Sequence, residues 1–378
     1  MPQAPYRSWV EVSRPQIAHN FRAVKHLVGD SVAVMPVVKA DAYRHGAVEI
    51  SRVLIAEGAR WLAVSNVEEG VSLREAGITE PHILVMADFL PHERRDLVQF
   101  HLTPVIHALE DIAAWDRLAA SHQKHLPYHL KIDTGMGRLG TVAPPSTIAA
   151  TVRAAHNAKL EGLMTHFASS ADYKSEQTDN QSAQFQQIVA ELSQAGVNPP
   201  IIHSSSTIPI AYRRTQAWKN LVRPGHAIYG YVSPARGDHA PANALDVRPA
   251  LSWKAAVLAV KDLPEGATVG YGAMYKAPKP MRIAILAAGY ADGIPHRLGN
   301  RGYVIAKGKL APIIGAVSMD LTTIDATDCE GLQVGDAVIL LGQDGDLAID
   351  AQQMARTAGT ISYSVLCGIG ARVRRVYL

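Results

Sequence analysis

Residues 37–46, with the sequence VVKADAYRHG, contain the side chain whose chemistry is easiest to infer from its neighbours. Val37 and Val38 are typical of a buried strand, and this strand is predicted to end at Lys39. Poor solvation at that point disfavours the ammonium ion, so a neutral amine is easier to reach. A neutral lysine amine can condense with an aldehyde to form a Schiff base. The alternative is an ordinary strand-end lysine whose ammonium group reaches the solvent.

The elements that must position this lysine belong to a repeated pattern of apolar, strand-like segments. The eight segments are 33–39, 61–66, 82–87, 102–107, 128–133, 160–168, 201–206 and 221–230. Helical patterns lie between most of them, for example at 48–59 and 181–196, where apolar residues recur at helical spacing. Eight strand–helix repeats predict an α/β fold, specifically an N-terminal, TIM-like (β/α)8 barrel. A doubly wound sheet is less suitable because no glycine-rich dinucleotide motif follows the first strand.

Polar residues are concentrated at the predicted carboxyl ends of these strands, where (β/α)8 barrels carry their active sites. They are Lys39, Arg138, His166, Ser204, Ser205, Ser206, Thr207, Arg223, Gly225 and His226. The last two strand ends are also where such barrels commonly bind phosphate. There HSSST supplies hydroxyl groups, and Gly225 allows the backbone to approach an anion closely. A serine-rich helix cap is the alternative. Together with Lys39, these features indicate a phosphorylated aldehyde cofactor.

The pattern changes towards the C-terminus. Residues 234–246 are rich in proline, alanine and small polar residues and are predicted to be a linker. Beyond them, short apolar runs separated by Gly, Pro and Asp predict a β-rich domain over 240–378. The barrel is assigned to 13–239, and the strand-like segment in 1–12 is a candidate to join the second domain.

Composition narrows the class of protein. The 378 residues are 48% hydrophobic and 19% charged, which is typical of a folded protein. A net charge of +3 does not indicate a nucleic-acid or membrane partner. Two cysteines, Cys329 and Cys367, form no disulfide framework, and neither a signal peptide nor a membrane span is evident. We therefore expect a cytoplasmic enzyme acting on a small molecule, without a metal site.

Six blocks of the sequence together resemble the alanine racemases, a family of barrel enzymes that depend on pyridoxal 5′-phosphate (PLP). The blocks are VVKADAY at 37–43, KIDTGMGRLG at 131–140, NLVRPGHAIYG at 220–230, VGYGAMY at 269–275 with AGYADG at 288–293, GAVSMD at 315–320, and TISYSVLCGIGARVRRVY at 360–377. They occur in the family's order along nearly the whole chain. Departures are few: Arg44 replaces the usual Gly, Ser206 a common Asn, Thr207 a common Ser, and Ser364 a frequent Glu.

The resemblance implies a role for each matching residue. Lys39 would form the Schiff base with PLP and Arg223 would face the pyridine nitrogen. The phosphate would be held by Tyr43, Thr207, Tyr363 and the backbone of Gly225 and His226. His166 would connect Arg223 to Tyr271, while Arg138, Met319 and Asp320 would lie by the substrate. Lys131 matches a lysine that is often carbamylated in this family, which would give Arg138 an anionic partner.

The same resemblance implies the reaction. Racemisation of L- and D-alanine would use two acid–base groups on opposite faces, Lys39 and Tyr271. Positive charge from Arg223, acting through His166, would help Tyr271 to ionise. Tyr271 would come from the partner subunit of a homodimer, and D-alanine would supply peptidoglycan. The alternatives are a broader alanine/serine racemase, a non-catalytic PLP-binding carrier protein, a related PLP decarboxylase and a cofactor-free Schiff-base aldolase. A carrier would lack the second domain, and a decarboxylase would place a carboxylate where Arg223 stands.

Overall fold

The computed structural model describes residues 6–378 and divides them into two compact units. The first, which we call the α/β unit, comprises Ile17–Ala42 and Ala47–Arg248. The second, the β unit, comprises Tyr43–Gly46, Pro249–Leu378 and the described residues as far as Gln16. Residues 1–5 of the predicted N-terminal segment lie outside the described residues. No helix within 6–378 is both long and apolar enough to cross a bilayer.

The α/β unit is built on parallel strands. Six of them form one sheet in chain order: β3 (Trp61–Val64), β4 (His82–Val85), β5 (Leu102–Ile106), β6 (Leu126–Lys131), β7 (Ala158–Met164) and β8 (Ile201–His203). A separate parallel pair joins β2 (Ala33–Val34) to β9 (Leu221–Val222). Each of the eight predicted segments therefore overlaps one parallel strand, although β6 and β7 begin two residues earlier than predicted. Strands β3 and β5 are buried throughout, as expected where helices cover a parallel sheet.

Helices alternate with these strands. They are α1 (Arg14–Val28), α3 (Ala47–Ala56), α4 (Val67–Glu75), α5 (Arg94–Gln99), α6 (Leu109–Ser121), α7 (Pro145–Ala154), α8 (Gln177–Gln194) and α9 (Thr207–Ala211). Helix α3 lies within the helix predicted over 48–59 save for its first residue, and α8 overlaps the one predicted over 181–196. In α8 the side chains of Phe185 and Leu192 are buried, as the periodicity predicts. Residues 234–246 contain neither helix nor strand and belong to the α/β unit.

The β unit is mainly β, as predicted. Its strands are β1 (Ser8–Val12), β10 (Leu251–Leu263), β11 (Thr268–Val269), β12 (Tyr275–Lys276), β13 (Met281–Leu286), β14 (Tyr303–Ala306), β15 (Lys309–Pro312), β16 (Thr322–Asp325), β17 (Ala337–Asp344), β18 (Leu347–Ile349) and β19 (Arg374–Tyr377). Two short helices, α10 (Ala351–Ala358) and α11 (Ser362–Cys367), precede β19. The path through the main sheet is β15-β14-β17-β10-β1-β19.

Strand β1 is held on both sides within the β unit. It pairs antiparallel with β10, where Val10 lies opposite Trp253, and parallel with β19. Both Val10 and Trp253 are fully buried. The long strand β10 shifts register between Val257 and Ala259, so that it pairs with β17 along its first part and with β13 along its second. Such a bulge bends a strand and lets it serve two partners.

Candidate active site

Lys39 lies at the point where strand pairing stops in the α/β unit. Val37 forms a parallel bridge with Ala63, and the next residue but one is Lys39. Lys39 is half-buried, in agreement with the restricted solvation predicted for it. The five residues that follow it, 40–44, all have φ between 52° and 65° and form a left-handed turn. This turn makes up the element α2 (Lys39–Tyr43) after Lys39 and extends one residue beyond it. For L-amino acids this conformation costs roughly 1–2 kcal/mol per residue, so the surroundings must impose it.

Glu69 fixes the start of this turn. One carboxylate oxygen accepts a hydrogen bond from the Ala40 amide at 2.7 Å, and the other accepts from the Ser65 amide at 2.7 Å. Asn66 caps helix α4 by accepting from the Glu69 amide, which sets the position of the carboxylate. A single side chain thereby ties the residue after Lys39 to the residue after strand β3.

Arg223 is 2% exposed and lies among polar atoms that accept its hydrogen bonds. Its Nη1 atom lies 2.8 Å from Nδ1 of His203, and its Nη2 atom donates to the carbonyl oxygen of Thr165 at 2.8 Å. Nη2 also lies 3.4 Å from Nδ1 of His166. Burial lowers the pKa of Arg223 to about 9, which still leaves the guanidinium charged at neutral pH.

The two histidines beside Arg223 are neutral. Burial, followed by the positive charge of Arg223, lowers the pKa of His166 to about 3. The same two causes, in the same order, lower the pKa of His203 well below its usual value. Each imidazole can therefore present a lone pair to the guanidinium. The structure places His166 beside Arg223, and it adds His203, which the sequence analysis did not identify.

Lys131 and Arg138 are two positive groups in the same region. Lys131 ends strand β6 and is only 4% exposed. Burial first, and then the charge of Arg138, lower its pKa to about 8. Asp133 holds the loop between them, because its carboxylate accepts hydrogen bonds from the amides of Gly135, Met136 and Gly137. The loop thus keeps Arg138 within electrostatic range of a lysine that loses its proton readily.

The predicted phosphate-binding residues after β8 and β9 are close together. The hydroxyl oxygen of Thr207 accepts hydrogen bonds from the amides of Gly225 and Ala227, both at 3.2 Å. Ser204 and Ser205 behave differently from the expectation for HSSST, since both hydroxyls donate to the carbonyl oxygen of Ala217. These two serines therefore stabilise the loop. The Thr207 hydroxyl, by contrast, brings together the backbone after β8 and the backbone after β9.

Tyr43 and Tyr363, the other predicted phosphate ligands, are neighbours within the β unit. Their ring centroids are 5.9 Å apart at an interplanar angle of 46°. Arg44, the departure from the family pattern, adopts φ 65° and donates from Nε to the carbonyl oxygen of Cys367 at 3.4 Å. Its guanidinium therefore contacts the backbone of the last residue of α11, where the usual glycine would make no side-chain contact.

Tyr271 lies in the turn between β11 and β12 and is 77% exposed. The turn needs its flanking glycines, because Gly270 has φ 73° and Gly272 has φ 69°. The turn therefore leaves most of the Tyr271 side chain exposed.

Met319 and Asp320 are held by a charged side chain that the sequence analysis missed. Arg372 lies 2.7 Å from a carboxylate oxygen of Asp320 and forms a two-point ion pair with Asp292 at 2.7 and 2.8 Å. The amide of Ala291 donates to the carbonyl oxygen of Met319 at 3.0 Å. The blocks at 288–293 and 315–320 are thus fastened together inside the β unit.

Several residues of the site were absent from the prediction, and their signals differ in strength. Asn66 and Glu69 follow a predicted strand with the spacing of a capping box, which could have drawn attention to them. His203 lies inside the strand predicted over 201–206 and is the last residue of the observed strand β8. Arg372 lies in a basic run whose partners are distant in sequence, so its ion pair had no local signal.

Comparisons with known proteins agree with this arrangement. The chain matches the family models "Alanine racemase, N-terminal domain" over residues 12–234 and "Alanine racemase, C-terminal domain" over 250–377. The alanine racemase of Carboxydothermus hydrogenoformans is 40% identical over 370 residues, covering 98% of this chain and 99% of its own. That of Halothermothrix orenii is 39% identical over 372 residues, covering 98% and 96%.

Solved structures give the same result. The alanine racemase from Streptomyces lavendulae has a TM-score of 0.92 and 30% identity, covering 100% of this chain and 98% of its own. The alanine racemase from Bartonella henselae, solved with covalently bound pyridoxal phosphate, has a TM-score of 0.87 and 27% identity, covering 99% and 100%. Two domain models that together span almost the whole chain, and relatives this similar over their full length, show that the chain belongs to the alanine racemase family.

Proposed function

We propose that this protein catalyses the PLP-dependent interconversion of L-alanine and D-alanine. The observation that carries the proposal is a buried, charged Arg223 between two neutral histidines, on the same set of parallel strand ends as Lys39. A carboxylate in that place would favour other PLP reactions, because it would keep the pyridine nitrogen protonated. Arginine donates a hydrogen bond and does not give up its proton.

The donor set fits PLP. A half-buried lysine suits the aldehyde and a buried guanidinium suits the ring nitrogen. The Thr207 hydroxyl, whose oxygen accepts from the amides of Gly225 and Ala227, keeps its hydrogen to donate to the phosphate. Lys39, Arg223, Thr207, Gly225 and His226 would hold the cofactor, with Tyr43 and Tyr363. When bound, PLP supplies an electron sink that makes the α-proton of an amino acid acidic.

Proton transfer is assigned to this chain's own side chains. Lys39 would exchange the proton on one face of the substrate, and Tyr271 on the other. The neutral Nδ1 of His166 faces Arg223, so its ring is available to transmit the effect of that charge to the tyrosine. Arg138, with Met319 and Asp320, would bind the substrate, and carbamylation of Lys131 would give Arg138 its anionic partner.

A finer description of the fold is part of the proposal. We infer that the parallel strands close into a (β/α)8 barrel. Its support is the hydrogen bond from the Val38 amide to Ala63 at 2.8 Å and the one from the Arg223 amide to Ser205 at 2.9 Å, which extend β2 towards β3 and β9 towards β8. The domains would be the barrel at 13–239 and the β domain at 240–378, with the strand in 1–12 added to the latter.

The proposal includes a homodimer in which Tyr271 acts in the partner subunit's site. Its support is the 77% exposure of Tyr271 and the 60% exposure of Met274 in the same turn. We also propose that the enzyme works in the cytoplasm, in keeping with a sequence whose two cysteines are too few for a disulfide framework, and supplies D-alanine to peptidoglycan. A crystal structure of the holoenzyme would test the dimer and the barrel, and a deletion strain that grows normally without D-alanine would contradict the physiological role.

The decisive experiment is incubation of the PLP-loaded protein with L-alanine in heavy water. We expect both enantiomers to converge on an equal mixture with deuterium at the α-carbon. An unchanged, undeuterated L-alanine pool would reject the proposal and favour a PLP-binding carrier. The same assay with L-serine would then separate a carrier from a racemase of different substrate preference.

A further inference from the structure

A line of four polar side chains runs through the interior of the α/β unit and ends at Arg223. Nη1 of Arg223 lies 2.8 Å from Nδ1 of His203, and Nε2 of His203 lies 2.8 Å from Nδ1 of His129. Nε2 of His129 lies 3.5 Å from a carboxylate oxygen of Glu161. Both histidines are 0% exposed, and the Glu161 side chain is 20% exposed. We call these four residues the histidine chain.

The contact between His129 and Glu161 is long, but neither atom has an alternative. Nε2 of His129 and the facing oxygen of Glu161 are both buried, and within residues 6–378 neither atom makes a standard hydrogen bond; the two face each other at 3.5 Å. A buried N–H or carboxylate oxygen without a partner costs free energy, so the two atoms act as partners.

Donor and acceptor rules allow one arrangement of protons along the histidine chain. A guanidinium can only donate, so Nδ1 of His203 must accept and Nε2 must carry the hydrogen. That hydrogen is donated to Nδ1 of His129, which must then carry its own hydrogen on Nε2. The ionised carboxylate of Glu161 accepts it. Burial is the largest cause lowering the pKa of both histidines, so each is neutral with a single N–H to place.

The backbone is shaped to make this arrangement. Strand β6 pairs Tyr128 with Leu160 but pairs the next residue, His129, with Gly162, so Glu161 is the extra residue of a bulge. A bulge changes the direction in which a side chain points, and here the carboxylate contacts a residue of the neighbouring strand. A Cβ atom at position 162 would lie only 2.5 Å from Nδ1 of His129. The glycine therefore provides the space that the His129 ring occupies.

We propose that Glu161 and His129 are positioning residues, which fix the tautomer of His203 so that it holds Arg223 as a charged donor in one orientation. The inference rests on the proposed function, in which Arg223 serves the pyridine nitrogen of PLP. Without an acceptor at position 161, the buried N–H of His129 has no partner. Moving that hydrogen to Nδ1 would point it at His203, which could accept it only by turning its own hydrogen towards Arg223. The fully paired arrangement, in which His203 offers its lone pair to Arg223, then loses its advantage over the alternative. The charged and titratable groups near the carboxylate are His129, His82 and Lys159.

The first test compares Glu161→Leu with Glu161→Gln and with Glu80→Leu, a change at an exposed glutamate that serves as control. Two-bond ¹H–¹⁵N correlation spectra of histidine-labelled holoenzyme report the tautomer of His203 directly. We expect the Nε2–H form in the wild type and in Glu161→Gln, which retains an acceptor oxygen, and a mixture of forms in Glu161→Leu. A His203 signal that is unchanged in Glu161→Leu would overturn the proposal.

The second test uses the cofactor and the reaction. In Glu161→Leu the visible absorption band of bound PLP should shift and kcat should fall about tenfold. Tenfold is the lower end of the loss seen in metalloenzymes when the hydrogen-bond partner of a metal-binding side chain is removed. KM should change little, and Glu80→Leu should match the wild type. A band position and kcat equal to those of the control would contradict the positioning role.

A third pair of variants covers the case in which Glu161→Leu does not fold. An amide at position 129 can accept from His203 and donate to Glu161, so His129→Gln preserves the direction of the hydrogen bonds, whereas His129→Leu breaks it. We expect kcat of His129→Gln to exceed that of His129→Leu about fivefold, in line with partial retention of an outer-shell contact. Equal values would overturn the proposal. Lack of racemase activity in the wild type would reject the proposed function, while the tautomer measurement would still decide the inference.

Discussion

The carboxylate of Glu69 accepts the amide hydrogen of Ala40 at 2.7 Å, directly after Lys39. The same side chain accepts from Ser65 at 2.7 Å, so its removal leaves two backbone donors without their acceptor. Glu69→Ala should lower the free energy of unfolding by about 2–3 kcal/mol, the cost of losing hydrogen bonds to a charged group. Because the left-handed turn begins there, PLP affinity should fall as well. Urea unfolding and absorbance titration with PLP measure the two effects.

The matched control is Glu68→Ala, one residue earlier on the same helix and exposed. Surface changes of this kind alter stability by about 0.5 kcal/mol or less. If Glu69→Ala and Glu68→Ala unfolded at the same urea concentration, the carboxylate of Glu69 would not be holding the turn.

Gly46 illustrates a different constraint on the same segment. A Cβ atom there would lie 1.7 Å from the hydroxyl oxygen of Tyr377, and the backbone has φ 94°. Gly46→Ala should destabilise the protein by about 2–4 kcal/mol, because strain and a collision act together. Gly29→Ala is the control, since Gly29 has φ 76° with no atom within 4 Å of the added methyl group. That variant should lose only about 1 kcal/mol from backbone strain. Thermal unfolding of both variants should show the difference, and equal losses would exclude the collision.

Strands such as β3 (WLAV) and β4 (HILV) were predictable because they are short and largely apolar, and burial on both faces of a parallel sheet favours that pattern. The left-handed turn after Lys39 was not, because Ala40 and Ala42 have no intrinsic preference for positive φ. It exists because Glu69 and the surrounding structure impose it. Likewise, Arg372 and Asp292 are distant in the sequence, and only the folded β unit brings them together.

The histidine chain lay beyond sequence reasoning for a further reason. A histidine in a predicted strand gives no indication of which residue of the neighbouring strand it faces, because register depends on how two strands pair. The bulge at Glu161 changes that register by one residue. By contrast, Lys39, Arg223 and His166 were found at strand ends, since the carboxyl ends of parallel strands are where folds with alternating strands and helices carry their chemistry.

Lys131 gives a prediction about pH. Its pKa is lowered to about 8 in the folded protein, from the 10.5 of an unperturbed lysine, mainly by burial. Because the unfolded chain binds this proton more tightly than the folded protein does, the lysine lowers the free energy of unfolding, and the full loss is present below pH 8. As pH rises from 8 to 10.5, the lysine loses its proton in both states and the loss disappears. In carbonate-free buffer, Lys131→Met should therefore stabilise the protein at pH 7 by roughly 3 kcal/mol, and by nearly nothing at pH 10.5.

Urea unfolding at several pH values measures this difference, with Lys159→Met, a change at an exposed lysine, as control. A stabilisation by Lys131→Met that is the same at pH 7 and pH 10.5 would show that packing, not charge, is responsible. Addition of bicarbonate provides an independent comparison, because carbamylation converts the lysine into an anion. The wild type should then gain stability at pH 7, while Lys131→Met should not.

Replacement of Arg372 tests whether its ion pairs or the backbone hydrogen bonds hold the 318–320 segment in position. Arg372 joins Asp292 through two contacts and Asp320 through one, and a lysine has no planar fork with which to keep all three. Asp320 and Met319 are proposed to lie by the substrate, so Arg372→Lys should raise KM for alanine about fivefold. This is less than the effect of losing one buried charge-assisted hydrogen bond, because the guanidinium is half exposed. The kcat value should change less, because no proton-transfer group is touched. The control is Arg374→Lys, which also replaces a guanidinium by an ammonium group in the β unit. Arg374 lies on β19, with its guanidinium 5.5 Å from the centroid of the Tyr6 ring. Equal KM values in the two variants would mean that the 318–320 segment keeps its position without Arg372, and that its geometry comes from the backbone hydrogen bonds to Tyr290 and Ala291 instead.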